Sequence, residues 1–226
     1  MFVETLAVGV FRCNCTIVAC DATRQAIVVD PGDHPERILA VVRERGLSVT
    51  CVLHTHAHLD HVMGTFAVAE ATGAPARLHR GDYALWHNAG IMAARHGIPT
   101  PPMWPLGDPL EDGDMIRVGL GSVGVIHTPG HTAGSCCFAF QGRDGGRFLL
   151  SGDTLFRGSI GACIRNGRWR PAARQVVTSI RERLLTLDDD TRVVPGHGPG
   201  TWIGAERTGN PFLLDPGPPP LARHDA

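Results

Sequence analysis

The stretch Val49-Thr50-Cys51-Val52-Leu53-His54-Thr55-His56-Ala57-His58-Leu59-Asp60-His61 decides the fold. Its first five residues form an apolar run of the kind found in a strand covered on both faces. That run delivers the chain to three imidazoles and a carboxylate within six residues, and strand ends are where α/β sheets carry their sites. In a tight turn, His56 and His58 can point the same way and hold one metal ion. Asp60 and His61 then swing to the opposite side and face a second.

Working outward, the N-terminal side reads as β structure over Phe2–Gly9, Cys15–Cys20 and Ala26–Val29, with a turn through Asp21–Arg24. A short amphipathic helix over His34–Arg45 follows, with Pro35 in its first turn and Gly46 at its end. On the C-terminal side the pattern predicts a helix over Val62–Thr72 ending at Gly73, and a short helix near Trp86. Ile98–Pro109 contains five prolines and reads as a surface loop. A second β region runs through Met115–Val118, Val123–His127, Cys136–Phe140 and Phe148–Ser151. A helix over Pro171–Leu187 and a strand over Arg192–Val194 complete it. Both halves, about 1–114 and 115–212, therefore run from strands to helix to a strand ending in His. This order predicts a single domain of duplicated β/α architecture with an irregular tail over 213–226.

Three further polar residues trail apolar strands and follow a glycine: His131 in Thr128-Pro129-Gly130-His131-Thr132, Asp153 in Ser151-Gly152-Asp153-Thr154, and His197 in Pro195-Gly196-His197-Gly198-Pro199. Glycine permits the sharp turn that lifts a side chain off a sheet edge. Imidazole and carboxylate are the nitrogen and oxygen ligands that borderline divalent ions take. His54 and His127 end the strands ahead of these motifs and are expected to orient ligands or to pack. His34, His79, His87, His96 and His224 read as ordinary surface or packed residues.

Composition narrows the function classes. With 226 residues, 43% hydrophobic and 19% charged, the chain can bury a sizeable core and is not disordered. A net charge of −1 offers no basic field for nucleic acid or an anionic membrane. No apolar run approaches the roughly 18 residues of a membrane span. All 21 cationic residues are Arg, so Schiff-base and P-loop chemistry, which need a lysine, are excluded. Seven cysteines without a C-x-x-C pair read as free thiols in a reducing cytoplasm.

Together with Asn14-Cys15, Val29-Asp30-Pro31-Gly32, Asp153-Thr154-Leu155-Phe156, Ser159-Ile160-Gly161, Glu206-Arg207 and Asn210-Pro211-Phe212-Leu213, the ligand motifs resemble the metallo-β-lactamase superfamily. Within it they are similar to the small single-domain glyoxalase II-like (hydroxyacylglutathione hydrolase-like) hydrolases. The resemblance implies an α/β fold, an αβ/βα four-layer sandwich of two mixed sheets with outer helices. It implies two divalent ions per chain: His56, His58 and His131 on the first, Asp60, His61 and His197 on the second, and Asp153 bridging. Zinc is the first expectation, and iron or manganese accept the same donors. Such a pair activates water and polarises a carbonyl, with Asp60 also orienting the nucleophile.

The function expected from this resemblance is hydrolysis of a small thioester, with an S-acylglutathione as the leading substrate. The alternatives are a mononuclear iron persulfide dioxygenase using His56, His131 and Asp153, a lactone hydrolase, and a non-enzymatic metal-binding regulator. Arg165 and Arg168 either bind a substrate carboxylate or form a solvated patch. Ser159-Ile160-Gly161 continues as Ala162-Cys163-Ile164, where the group has Arg, a small residue and Asp. The chain also ends before the C-terminal helical domain of the larger enzymes. The expected partner is a small-molecule thioester, with no nucleic acid and no membrane, and the protein is expected as a monomer or homodimer.

Overall fold

A computed structural model describes residues 1–161, 164–165, 168–169 and 173–214. The first sheet is built from β1 (Phe2–Val8), β2 (Cys13–Ala19), β3 (Gln25–Val29), β4 (Ser48–Leu53) and β5 (Ala76–Arg77), in that spatial order. β1, β2 and β3 pair antiparallel, while β3, β4 and β5 pair parallel. The parallel crossover needs a helix, and α1 (Pro35–Glu44) supplies it. The second sheet has the order β15 (Thr201–Trp202), β14 (Arg192–Pro195), β9 (Arg147–Gly152), β8 (Cys136–Gln141), β7 (Gly121–His127) and β6 (Met115–Val118). Only β9 and β14 pair parallel in it, and both sheets are mixed.

Period-two alternation separates the layers. On β3, Ile27 and Val29 face the second sheet and meet Val123, Val125, Phe138 and Leu150. Ala26 and Val28 point the other way and join Ile38 and Val42 of α1 and Val68 and Ala69 of α3 (Thr65–Thr72). On the far face of the second sheet, Cys137, Leu149 and Val193 are covered by Val176 and Val177 of α6 (Ala173–Ser179), and by Ile180 and Leu184 of the π-helical turn that continues it. The result is the expected order helix, sheet, sheet, helix.

Three expectations need correction. The helix expected over Val62–Thr72 is two: α2 (Leu59–Val62) and α3, interrupted at Gly64. The Gly64 N–H donates to Pro31 O at 2.8 Å, and a Cβ there would lie 2.6 Å from that oxygen, so the chain is pinned to the first sheet instead of winding on. Beyond α4 (Tyr83–His87), the sequence reading missed α5 (Ala89–Arg95), which packs Ala89 and Ala93 against Leu59. Ile98–Pro109 is the expected surface loop, with no helix or strand, and it also packs. Leu106 bridges to Ala76, Gly107 N–H donates to Ala76 O at 2.8 Å, and Trp104 meets Phe66 edge-on at 5.6 Å, so this stretch seals the β5 edge. Finally, α7 (Ile203–Gly209) and α8 (Pro211–Leu214) carry regular structure to residue 214, into the stretch read as irregular. The remainder of that tail lies outside the described residues. No described helix is long and apolar enough to cross a membrane.

Candidate metal centre

The ends of β4, β7, β9 and β14 converge at one edge of the sandwich and bring together all seven candidate ligands. His56 Nε2 and His131 Nε2 stand 3.1 and 2.9 Å from His58 Nδ1. A second group forms beside them: His61 Nε2 is 3.2 Å from His197 Nε2, which is 3.1 Å from Asp60 Oδ2. Asp153 lies between the groups. Its Oδ2 is 3.5 Å from His131 Nε2, while its Oδ1 is 3.5 Å from His61 Nε2 and 3.6 Å from His197 Nε2.

Hydrogen bonds on the far side of each ring set which nitrogen faces the site. His61 Nδ1 donates to Asp30 Oδ2 at 3.0 Å, and His197 Nδ1 donates to the Phe11 carbonyl at 2.9 Å. Thr55 gives its hydroxyl proton to Asp30 Oδ2 at 2.6 Å, so its oxygen accepts from His56 Nδ1 at 3.1 Å. In all three rings Nε2 is therefore the nitrogen that points inward. The His197 turn is fixed by Asn14, whose amide donates at 2.9 Å to the carbonyls of both Pro195 and Gly198. A Cβ at Gly196 would sit 2.2 Å from Asp153 Oδ1 and 2.8 Å from His61 Cε1, so any side chain there would displace two candidate ligands.

The electrostatics suit cations. Burial and then the neighbouring His61 and His131 push His56 well below the ordinary imidazole value, so it is a neutral donor. Burial alone would raise Asp153, but His61 and His131 hold it far below the carboxylate range, and it is ionised. Burial lowers His61 while Cys13, Asp153 and Asp30 raise it by more, so a cation arriving at that group displaces a proton. Asp153 Oδ1 is buried without a hydrogen-bond partner, a costly state for a carboxylate oxygen that a bound cation would relieve. Convergent ring nitrogens, neutral imidazoles at His56 and His58, and a carboxylate oxygen without a hydrogen bond fit divalent metal.

The sequence profile of the Metallo-beta-lactamase superfamily matches residues 8–197. The chain belongs to the metallo-β-lactamase superfamily. Members of the superfamily are for the most part metal-dependent hydrolases. The chain is similar to hydroxyacylglutathione hydrolase GloC of Haemophilus influenzae, at 31% identity over 94% of this chain and 98% of that protein. Among solved structures it is similar to the B3 metallo-β-lactamase BLEG-1, with TM-score 0.79, 29% identity, and coverage of 95% of this chain and 100% of that one. It is also similar to TTHA1623 in a di-iron-bound form, with TM-score 0.75, 38% identity, and coverage of 93% and 100%.

Other candidate residues of this metallo-β-lactamase-superfamily chain fall outside the seven-residue cluster. His54 is buried against Trp86, with Nε2 3.3 Å from Thr65 Oγ1 and Nδ1 3.9 Å from Asp30 Oδ1, and burial lowers it to about 4. It acts on the candidate ligands from behind, through Asp30 and through its contact with His61. His127 stacks on His79 at 4.0 Å and donates from Nε2 to Ala133 O at 3.0 Å, bracing the loop that carries His131. Arg165 and Arg168 are register partners in the hairpin of β12 (Ile164–Arg165) and β13 (Arg168–Trp169). Ala162 and Cys163 lie outside the described residues. Sequence reasoning missed the work of two buried carboxylates. Asp30, quoted only for its motif, accepts from Thr55 N–H at 2.8 Å, the Thr55 hydroxyl and His61. Asp82 carried no signal at all.

Proposed function

We propose that the chain is a dinuclear metal-dependent hydrolase of a small thioester, with an S-acylglutathione as the leading substrate. The observation that carries this reading is the split of Asp153, one oxygen toward each histidine group, which suits a ligand shared by two ions. On this reading His56, His58 and His131 would hold the first ion, Asp60, His61 and His197 the second, and Asp153 would be shared between them. When bound, such ions supply water activation at neutral pH and polarisation of the thioester carbonyl. Zinc is the first candidate, and the di-iron form of TTHA1623 supports iron as the alternative.

The chain's own contribution is placement. Asp60 is partly exposed at the site. Burial alone would raise it, but the His197 hydrogen bond and His61 keep it ionised. It accepts a hydrogen bond from the attacking water and aligns it toward the carbonyl carbon. Water adds to that carbon, the C–S bond breaks and the sulfur leaves as thiolate; one of the water's protons ends on the thiol and the other goes to solvent, giving a carboxylate, a thiol and a proton. The resemblance to a hydroxyacylglutathione hydrolase supports the substrate class.

The test is hydrolysis of S-lactoylglutathione by metal-replete protein, before and after chelation and with His197→Ala. Turnover that needs metal and falls by about 100-fold or more in the variant supports the proposal. Iron-replete protein that leaves thioesters intact, consumes oxygen with glutathione persulfide and is indifferent to His197→Ala would replace it with the dioxygenase.

A further inference from the structure

The two loops that bring the first histidine group together come from different sheets: residues 54–58 follow β4, and residues 128–135 join β7 to β8. At the strand ends they meet through the Cys136 N–H and the Thr55 carbonyl, at 2.8 Å. Farther out, at the level of the imidazoles, a third segment joins them. Asp82 closes the 3₁₀ turn Arg80–Asp82 and is fully buried. Its Oδ2 accepts the Ala57 N–H at 3.0 Å, from the residue between His56 and His58. The same oxygen accepts the hydroxyl of Thr132, next to His131, at 2.8 Å. Its Oδ1 accepts the Gly134 N–H at 2.7 Å. Ser135 completes the arrangement, accepting the Thr132 N–H at 3.0 Å and lying 2.8 Å from the Thr132 hydroxyl.

The contact is close enough to constrain the sequence. A Cβ at Gly134 would fall 2.7 Å from both Cγ and N of Asp82, and one at Gly81 would fall 2.8 Å from the carbonyl group of Ala133. The turn thus lies flush on the His131 loop, and a side chain at Gly134 would lever them apart. The second group draws its support from elsewhere: Asp30 on His61, the Phe11 carbonyl on His197, and Asn14 on the His197 turn. None of these contacts passes through Asp82.

We propose that Asp82 is the positioning residue of the first metal group: its carboxylate ties the loop bearing His56 and His58 to the loop bearing His131 and sets the spacing of those imidazoles, with no part in holding Asp60, His61 and His197. This rests on reading the two groups as metal sites. Asp82→Asn keeps the shape but turns one accepted hydrogen bond into a clash of donors. Gly134→Ala keeps the carboxylate but moves the loop. Residues that orient ligands in this way typically govern metal affinity by about 10–100-fold.

The experiment places Asp82→Asn and Gly134→Ala in two backgrounds, His197→Ala, which leaves the first group intact, and His58→Ala, which leaves the second. Zn²⁺ affinity is read by competition with a chromophoric chelator. The expected result is weakening of about 10–100-fold by either change in the His197→Ala background, and a change within about threefold in the His58→Ala background. Thr132→Ser, which keeps the hydroxyl, is expected to stay near the parent in both. Equal weakening in the two backgrounds would mean general loosening, and no weakening in either would mean that the tie is idle; both overturn the inference while leaving the metal reading intact. Wild-type protein that binds no Zn²⁺ would overturn the metal reading, and this inference with it.

Discussion

Replacing Asp30 tests whether the buried scaffold beneath the histidines is as costly to break as its hydrogen bonds imply. The side chain accepts three of them, from Thr55 N–H at 2.8 Å, Thr55 Oγ1 at 2.6 Å and His61 Nδ1 at 3.0 Å, and Asp30, Thr55 and His61 are all buried. Asp30→Ala strands those donors. The Thr55 hydroxyl can rotate toward another acceptor, but the amide is left without one and the imidazole N–H with only the weak Cys13 Sγ acceptor at 3.5 Å, at about 1–3 kcal/mol each. Asp30 also sits at φ +51, a left-handed conformation that Asp and Asn tolerate better than Ala, adding about 1 kcal/mol. The sum is about 5 kcal/mol for Asp30→Ala, and about 2 kcal/mol for Asp30→Asn, which keeps one acceptor and the backbone preference. The assay is urea unfolding of metal-stripped protein, which separates the scaffold from metal binding. A chain of this size loses about 2–4 °C of melting temperature per kcal/mol, so Asp30→Ala should also melt about 10 °C or more below the parent. An Asp30→Ala protein within about 1 kcal/mol of the parent would refute the reasoning.

Two other outcomes follow from the packing and the thiols. Phe138 is fully buried between the sheets, so Phe138→Ala is expected to destabilise by about 3–5 kcal/mol in the same unfolding assay, and a loss under about 1 kcal/mol would mean the inter-sheet layer is poorly packed. Cys20 Sγ accepts the Leu120 N–H, and this, with bonds from Thr23, lowers the thiol to about 7, whereas burial lifts Cys51 and Cys137 to about 11. Its thiolate grows as pH rises through that value. Cys20 and Cys51 are each only 6% exposed, so thiolate character and not access decides between them, and iodoacetamide should label Cys20 ahead of Cys51 and Cys137, at a rate half-maximal near pH 7. A midpoint near 9, or first labelling at Cys51 or Cys137, would contradict this.

The sequence exposed those parts of the molecule whose cause is local. The proposed metal ligation would demand particular side chains at the ends of strands, and such a demand is local enough to be read in the short motifs around His56, His131, Asp153 and His197. Alternation along Ala26-Ile27-Val28-Val29 likewise follows from a strand with two covered faces. What stayed hidden is set by distant contacts. Asp82 in Arg80-Gly81-Asp82 looks like any acidic turn residue, because its partners Ala57 and Thr132 lie 25 and 50 positions away. The break at Gly64 is imposed by Pro31 O, and no feature of the apolar pattern from Val62 to Thr72 announces it. Proline density correctly excluded regular structure from Ile98–Pro109, but it is silent on packing, and Trp104 and Leu106 are held against the first sheet nonetheless.

The central claim is that one chain holds two ions with Asp153 between them. Crystallography of metal-loaded protein, with anomalous scattering recorded at the zinc and iron edges, tests it most directly. The account predicts two peaks per chain, one among His56, His58 and His131, one among Asp60, His61 and His197, and an Asp153 oxygen on each. A single fully occupied ion held by His56, His131 and Asp153, with Asp60, His61 and His197 bare at saturating metal, would contradict it.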